Sequence, residues 1–200
     1  MKENNILIVG AGFAGSVIAR ELAENKFNVT VIEQKNHIAG NCYTKKDSET
    51  QIMEHIYGPH IFNTNNRIIW NYVNKFGKFE NYIHRAKANI SAGIFSFPIN
   101  LLTINQFFNK KFTPKEALNF IKSKQVKIKN PKNFEEQALS LIGKELYVNF
   151  FYGYTKKQWG VEPKKLPASI LKRIPIRFNY DDNFHNAKYT GIPRLGYTSV

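Results

Sequence analysis

The sequence predicts an α/β fold with a mainly helical insertion, and three observations carry that prediction. A short apolar run, Asn5 to Val9, ends in Gly10-Ala-Gly12-Phe-Ala-Gly15 and passes into apolar residues at helical spacing. Residues 105–165 keep helical spacing, and residues 169–200 return to strand and loop, punctuated by Pro175, Gly191, Pro193 and Gly196. At 200 residues, with 42% hydrophobic and 22% charged content, the composition is that of a globular chain with one core or two. Disorder, collagen and disulfide scaffolds are thereby set aside.

The first element is the strand ending at Val9, and the second is the helix carrying Val17, Ile18, Leu22 and Ala23. Phe27 to Glu33 alternates and ends on an acid, completing a β-α-β unit. In such a unit Gly10 permits the tight turn, Gly12 lets the backbone approach a pyrophosphate, and Gly15 lets the helix pack closely, with free N–H groups at the helix start facing the phosphates. Glu33, eighteen residues after Gly15, is placed to bind a ribose. An acid there disfavours a 2′-phosphate, which selects FAD or NAD over NADP. Residues 50–100 read as short strands with one helix near Ile68 to Phe76, and Phe95 to Pro98 should be extended. Thr113-Pro114-Lys115-Glu116 is a capping box with a first-turn proline, and Asn133-Phe-Glu-Glu136 repeats the start signal. The helix it opens runs through Ala138, Ile142, Leu146 and Phe150 and is expected to stop near Gly153.

A net charge of +14 raises nucleic-acid binding, so its distribution matters. Residues 107–177 carry 16 Lys and Arg against 5 acids, and lysines outnumber arginines 23 to 6. Lysine spread along helices lacks the bidentate forks that read bases, so an anionic small molecule is the expected partner rather than nucleic acid. No apolar run reaches the roughly 18 residues of a membrane span, and Glu3 is foreign to a signal peptide, so the expectation is a cytoplasmic protein without membrane insertion. The lone Cys42 excludes an internal disulfide, and His55 and His60 lack partner ligands, so no metal is expected.

Asn36-His-Ile-Ala-Gly40-Asn41 resembles the second glycine motif of flavoproteins with two dinucleotide-binding elements, with Ala39 where a glycine is usual, which favours FAD. The resemblance extends to Tyr57-Gly-Pro-His60-Ile-Phe62, Gly153-Tyr-Thr-Lys-Lys-Gln-Trp159-Gly160, Leu171-Lys-Arg173-Ile-Pro175 and Gly191-Ile-Pro193-Arg-Leu-Gly196-Tyr-Thr198. Together these motifs resemble the UDP-galactopyranose mutase family. The resemblance implies isomerisation of UDP-galactopyranose to UDP-galactofuranose for a cell-surface polysaccharide. It also implies FAD in its reduced form, whose N5 attacks the anomeric carbon, a reductant such as NAD(P)H, and no net redox change. The oligomeric state stays open, a homodimer included.

Residue by residue, the family motif implies cofactor contacts from Gly10, Gly12, Phe13, Ala14, Gly15, Glu33, Gln34, Gly40, Asn41, His60 and Ile61. Substrate contacts fall on Phe150, Tyr154, Thr155, Trp159, Arg173 and Phe184, with Arg173 and His60 in catalytic roles and His84-Arg85 near the nucleotide. Two positions depart from the family: Asn63 replaces a usual histidine, and Phe184 replaces a tyrosine that binds substrate phosphate. Asn63 still offers an amide to its loop, whereas Phe184 has no donor.

The expected fold is therefore a Rossmann-like FAD-binding domain, first part, over residues 1–85, a mainly helical substrate domain over 86–168, and the start of an antiparallel sheet domain over 169–200. Family members run well beyond this length, so the chain is expected to be a truncated, N-terminal half. Two other readings stay open: another FAD-dependent oxidoreductase of the amine-oxidase-like group, which would consume an electron acceptor, and an inactive fragment. N-acetylgalactosamine also remains an option for the sugar.

Overall fold

The computed structural model describes residues 4–173 and 176–200, the side chains of Lys172 and Arg173 excepted. Two compact units emerge, one of residues 1–83 with 185–200 and the other of residues 84–184.

In the first unit β1 (Asn5–Val9) and β2 (Asn28–Ile32) pair in parallel, Asn5 opposite Asn28 and Val9 opposite Ile32. Parallel neighbours need a crossover, supplied by α1 (Phe13–Glu24). Leu7, Val9, Val31 and Ile32 remain exposed, so this pair presents an apolar surface. β3 (Thr44–Lys46) and β4 (Met53–His55) form an antiparallel hairpin whose turn is tied by the Asp47 carboxylate accepting from the Glu49 and Thr50 N–H groups. β5 (Phe62–Thr64) leads to α2 (Arg67–Val73), capped by the Asn66 side chain accepting from Ile68 and Ile69, and then to β6 (Phe79–Asn81). This helix lies where the periodicity predicts one and ends three residues before Phe76.

The chain then builds the second unit. β7 (Ala86–Ile90) and β8 (Gly93–Phe97) make a hairpin with Lys87 opposite Ser96, so the stretch before Pro98 is extended as its sequence requires. α3 (Leu101–Phe108) is capped by Asn100, α4 (Pro114–Lys124) opens with the Thr113–Glu116 capping box, and α5 (Phe134–Leu146) is capped by Asn133. Their apolar faces meet in a core that includes Ile99, Ile104, Ile121, Phe134, Ile142, Leu146 and Phe151. Gly143 interrupts the regular geometry of α5 at φ 75°, where a Cβ would stand 2.4 Å from the Lys124 carbonyl oxygen.

The stop expected near Gly153 is absent. The chain continues through a π-helical stretch, Tyr147–Tyr152, into α6 (Gly153–Trp159). Gly153 itself is helical, at φ −62° and ψ −45°. The left-handed turn that ends the helix falls at Gly160, φ 67°, because burial of Phe150 and Phe151 holds the preceding turns on the core.

Residues 169–184 stay with this helical unit, and the chain returns to the first unit as β9 (Tyr189–Pro193). β9 runs antiparallel between β5 and β6, with Phe62 opposite Gly191 and Phe79 opposite Pro193. The antiparallel sheet is thus completed by strands far earlier in the sequence. A Cβ at Gly191 would stand 2.6 Å from the Glu80 carbonyl oxygen, so this position admits only glycine without a shift. Val73, Phe79 and Tyr197 form the small core beside it.

Candidate functional site

The glycine turn between β1 and α1 is shaped for close approach. Gly10 sits at φ 100°, and its N–H donates to the Ile32 carbonyl at 2.7 Å, extending the parallel ladder. Gly12 is the residue before α1 and gives it no side-chain cap, leaving the first N–H groups of a twelve-residue helix available to an anion. A Cβ on Gly15 would lie 1.9 Å from the Gly10 carbonyl oxygen. Against this turn lies the second glycine segment: Ala39 N–H donates to the Ala11 carbonyl at 2.8 Å, and a Cβ on Gly40 would stand 3.3 Å from the Gly12 Cα. Ala39, in the left-handed region at φ 70°, holds a conformation a glycine would adopt more easily.

Glu33 closes the other side. One carboxylate oxygen accepts from the Ala11 N–H at 2.8 Å and the other from the Lys35 N–H at 3.0 Å. The Lys35 and Ala11 N–H groups hold this carboxyl below the usual carboxylate range. Each oxygen keeps a second lone pair for a hydroxyl donor. Ala14, Gln34 and Asn41 are exposed, and Phe13 stands edge-on to Tyr197 with ring centroids 5.7 Å apart.

His60 and Ile61 belong to a loop held from within. The His60 N–H donates to Nδ1 of His55 at 3.1 Å, and Nδ1 of His60 contacts the Gly58 carbonyl at 2.9 Å. Burial, and secondarily His60, lower the His55 pKa, which favours the neutral ring that this acceptor role requires. The Asn63 amide donates to the Ile61 carbonyl at 3.1 Å. Burial pushes the Tyr197 phenol up to about 12, against the smaller opposing effect of the Phe62 backbone.

The second unit carries a cleft of about 740 Å³. One wall is helical, with Phe150, Tyr154 and Lys157 at spacings of four and three, and the other is β7 with Lys87 and Asn89. Phe184 lines it too, its N–H donating to the His84 carbonyl at 2.8 Å and its ring edge-on to the His84 imidazole. Phe150 doubles as core, packing edge-on against Phe95 and Phe107, while Tyr154 is exposed. The cleft therefore gathers Phe150, Tyr154, Phe184 and His84. It does not gather Thr155, which is buried, Trp159, which is half-exposed, or Arg85, which pairs with Asp182. Arg173 lies outside the residues whose side chains are described.

Lys87, Asn89 and Lys157 were not singled out by sequence reasoning. Alternation along β7 and the three-residue step from Tyr154 to Lys157 are the signals that locate them. Among the described residues no group of three His, Cys, Asp or Glu side chains is set to hold a metal, and no helix is long and apolar enough to cross a membrane.

Two family matches cover these regions: an NAD(P)-binding Rossmann-like domain over residues 8–76 and UDP-galactopyranose mutase over residues 149–200. The chain is 56% identical over 201 residues to a probable UDP-galactopyranose mutase from Klebsiella pneumoniae, spanning 100% of this chain and 52% of that protein. It is 54% identical over 198 residues to a dTDP-fucopyranose mutase from Escherichia coli, spanning 98% of this chain and 52% of that one. Its fold matches a crystal structure of reduced UDP-galactopyranose mutase with a TM-score of 0.68 at 18% identity, over 87% of this chain and 37% of the other. The resemblance read from the motifs thus holds along the whole chain, which spans about half the length of these curated relatives and fits their N-terminal half.

Proposed function

We propose that this chain is the N-terminal half of a flavin-dependent mutase that interconverts UDP-galactopyranose and UDP-galactofuranose. The observation that carries the reading is 56% identity, along the entire chain, to a probable enzyme of that name. The site residues fit the cofactor: beside the α1 N-terminus, where a diphosphate would lie, Gly12 and Gly40 approach so closely that a Cβ on Gly40 would stand 3.3 Å from the Gly12 Cα. The second glycine segment is what favours FAD over NAD. Reduced FAD, when bound, would supply a nucleophilic N5 for the anomeric carbon, so that ring opening and reclosure need no net oxidant.

The chain's own residues account for binding and orientation. The N–H groups at the start of α1 would take the cofactor diphosphate, and Glu33, already anchored on Ala11 and Lys35, would take a ribose hydroxyl. The His60–Ile61 segment, fixed by His55, would present backbone groups to the flavin ring. In the second unit the rings of Phe150 and Tyr154 would hold the uracil, and Arg173 would pair with the substrate diphosphate. Cytoplasmic residence and a reductant such as NAD(P)H complete the proposal.

A second reading has its own support, since the dTDP-fucopyranose mutase is 54% identical over nearly the same residues. The test is a chimera joining this chain to the C-terminal half of the K. pneumoniae relative, reduced and supplied separately with UDP-galactopyranose and dTDP-fucopyranose. Furanose formed from the UDP sugar supports the first reading, and turnover of the dTDP sugar alone supports the second. A chimera that binds reduced FAD yet contracts neither ring refutes both.

A further inference from the structure

We propose that Lys87 reads the substrate phosphate in the cleft of the second unit. The inference rests on the reading of that cleft as the nucleotide site and adds to it a residue that sets specificity for the charged part of the ligand.

The cleft is graded in chemistry. Phe97, Val148, Phe150 and Phe184 make its apolar side, Lys87 and Lys157 stand on opposite walls, and no carboxylate is among its described lining residues. A ligand that matches both parts has a flat apolar group joined to an anion. The chain has 23 lysines, and most of those described are exposed, so what distinguishes Lys87 is how it is held. Its ammonium donates to Oγ of Ser96, a buried residue and its cross-strand neighbour, at 2.8 Å. It also pairs with Asp182 at 3.7 Å.

Asp182 is shared, because its other oxygen accepts from Nε of Arg85 at 2.9 Å. One carboxylate between two cations leaves the Lys87 corner positive. An ammonium has three donors, so the Ser96 bond leaves others for a ligand. Because the side chain is already tethered, binding loses less rotamer freedom than it would with a free lysine. Phe184 lines the same cleft and its phenyl ring donates nothing, so Lys87 supplies a donor that this neighbour does not.

The experiment is isothermal titration of the 200-residue chain and its Lys87→Met and Lys87→Arg variants with uridine and with UDP, at low and high salt. Lys87→Met should weaken UDP binding about tenfold while leaving uridine within about twofold of the parent. Lys87→Arg should retain UDP binding, and the deficit of the Met variant should shrink as salt screens the charge. Equal loss for uridine and UDP, or no loss for UDP, overturns the role of Lys87 and leaves the nucleotide site standing. A parent chain that binds neither ligand overturns the nucleotide reading itself, and the role of Lys87 with it.

Discussion

Gly15 has no room for a methyl group. The Cβ of an alanine there would meet the Gly10 carbonyl oxygen at 1.9 Å and the Ile8 side chain at 3.4 Å, and backbone cannot rotate aside as a flexible side chain can. Gly15→Ala should therefore destabilise the chain by about 1–3 kcal/mol, the usual cost of overpacking, and weaken the proposed FAD binding by distorting the turn. Gly153→Ala is the contrasting case, since that glycine is helical with nothing near its missing Cβ; it should be neutral or stabilise by up to about 1 kcal/mol. Urea titration of both variants checks the pair, and equal stability for parent and Gly15→Ala would show that the turn tolerates the added carbon. The fingerprint made Gly15 legible as a point of close packing. Its nearest obstacle was not legible, because the approach of the Gly10 carbonyl is a property of the folded turn.

At the scale of elements, the His55–His60 loop links a strand end to a segment proposed to face the flavin. His55 can accept the His60 N–H only with Nδ1 unprotonated, and burial lowers its pKa. The groups that face it are His60 and Tyr197. Above about pH 6.5 the ring is neutral folded or unfolded and titration costs nothing; as pH falls below that value the unfolded chain takes the proton first, so stability is lost. The melting temperature should fall between about pH 6.5 and 5 by more in the parent than in His55→Asn, which keeps an acceptor but does not titrate. Identical pH dependence in the two proteins would remove His55 from this account. Sequence pattern is strongest for elements with local signals: the capping box at Thr113, the Asn133 cap and the β-α-β unit all stand where their residues predict them. It fails at Gly153 because a glycine marks a helix end only when its backbone turns left-handed, and that choice was made by the burial of Phe150 and Phe151.

At the scale of the whole molecule, the charge pattern and the division into units were unequally legible. The lysine excess of residues 107–177 coincides largely with the helical unit, which contains the cleft. The return of β9 to a sheet with β5 and β6 has no local signal, since pairing across more than a hundred residues is decided by which edges are open when the chain comes back. The cleft was legible only in part: Phe150 and Tyr154 share a helical spacing and a motif and Lys87 shares a strand face with Asn89, while the pairing of Lys87 with Ser96 required the hairpin register. The claim on which the rest depends is that the first unit is built for FAD. The most direct test is the visible absorption spectrum of the purified chain after incubation with FAD and removal of the unbound cofactor, with flavin released and quantified per chain. Flavin at close to one per chain is the expected result. A folded protein, judged by circular dichroism, that stays colourless at saturating FAD would contradict it.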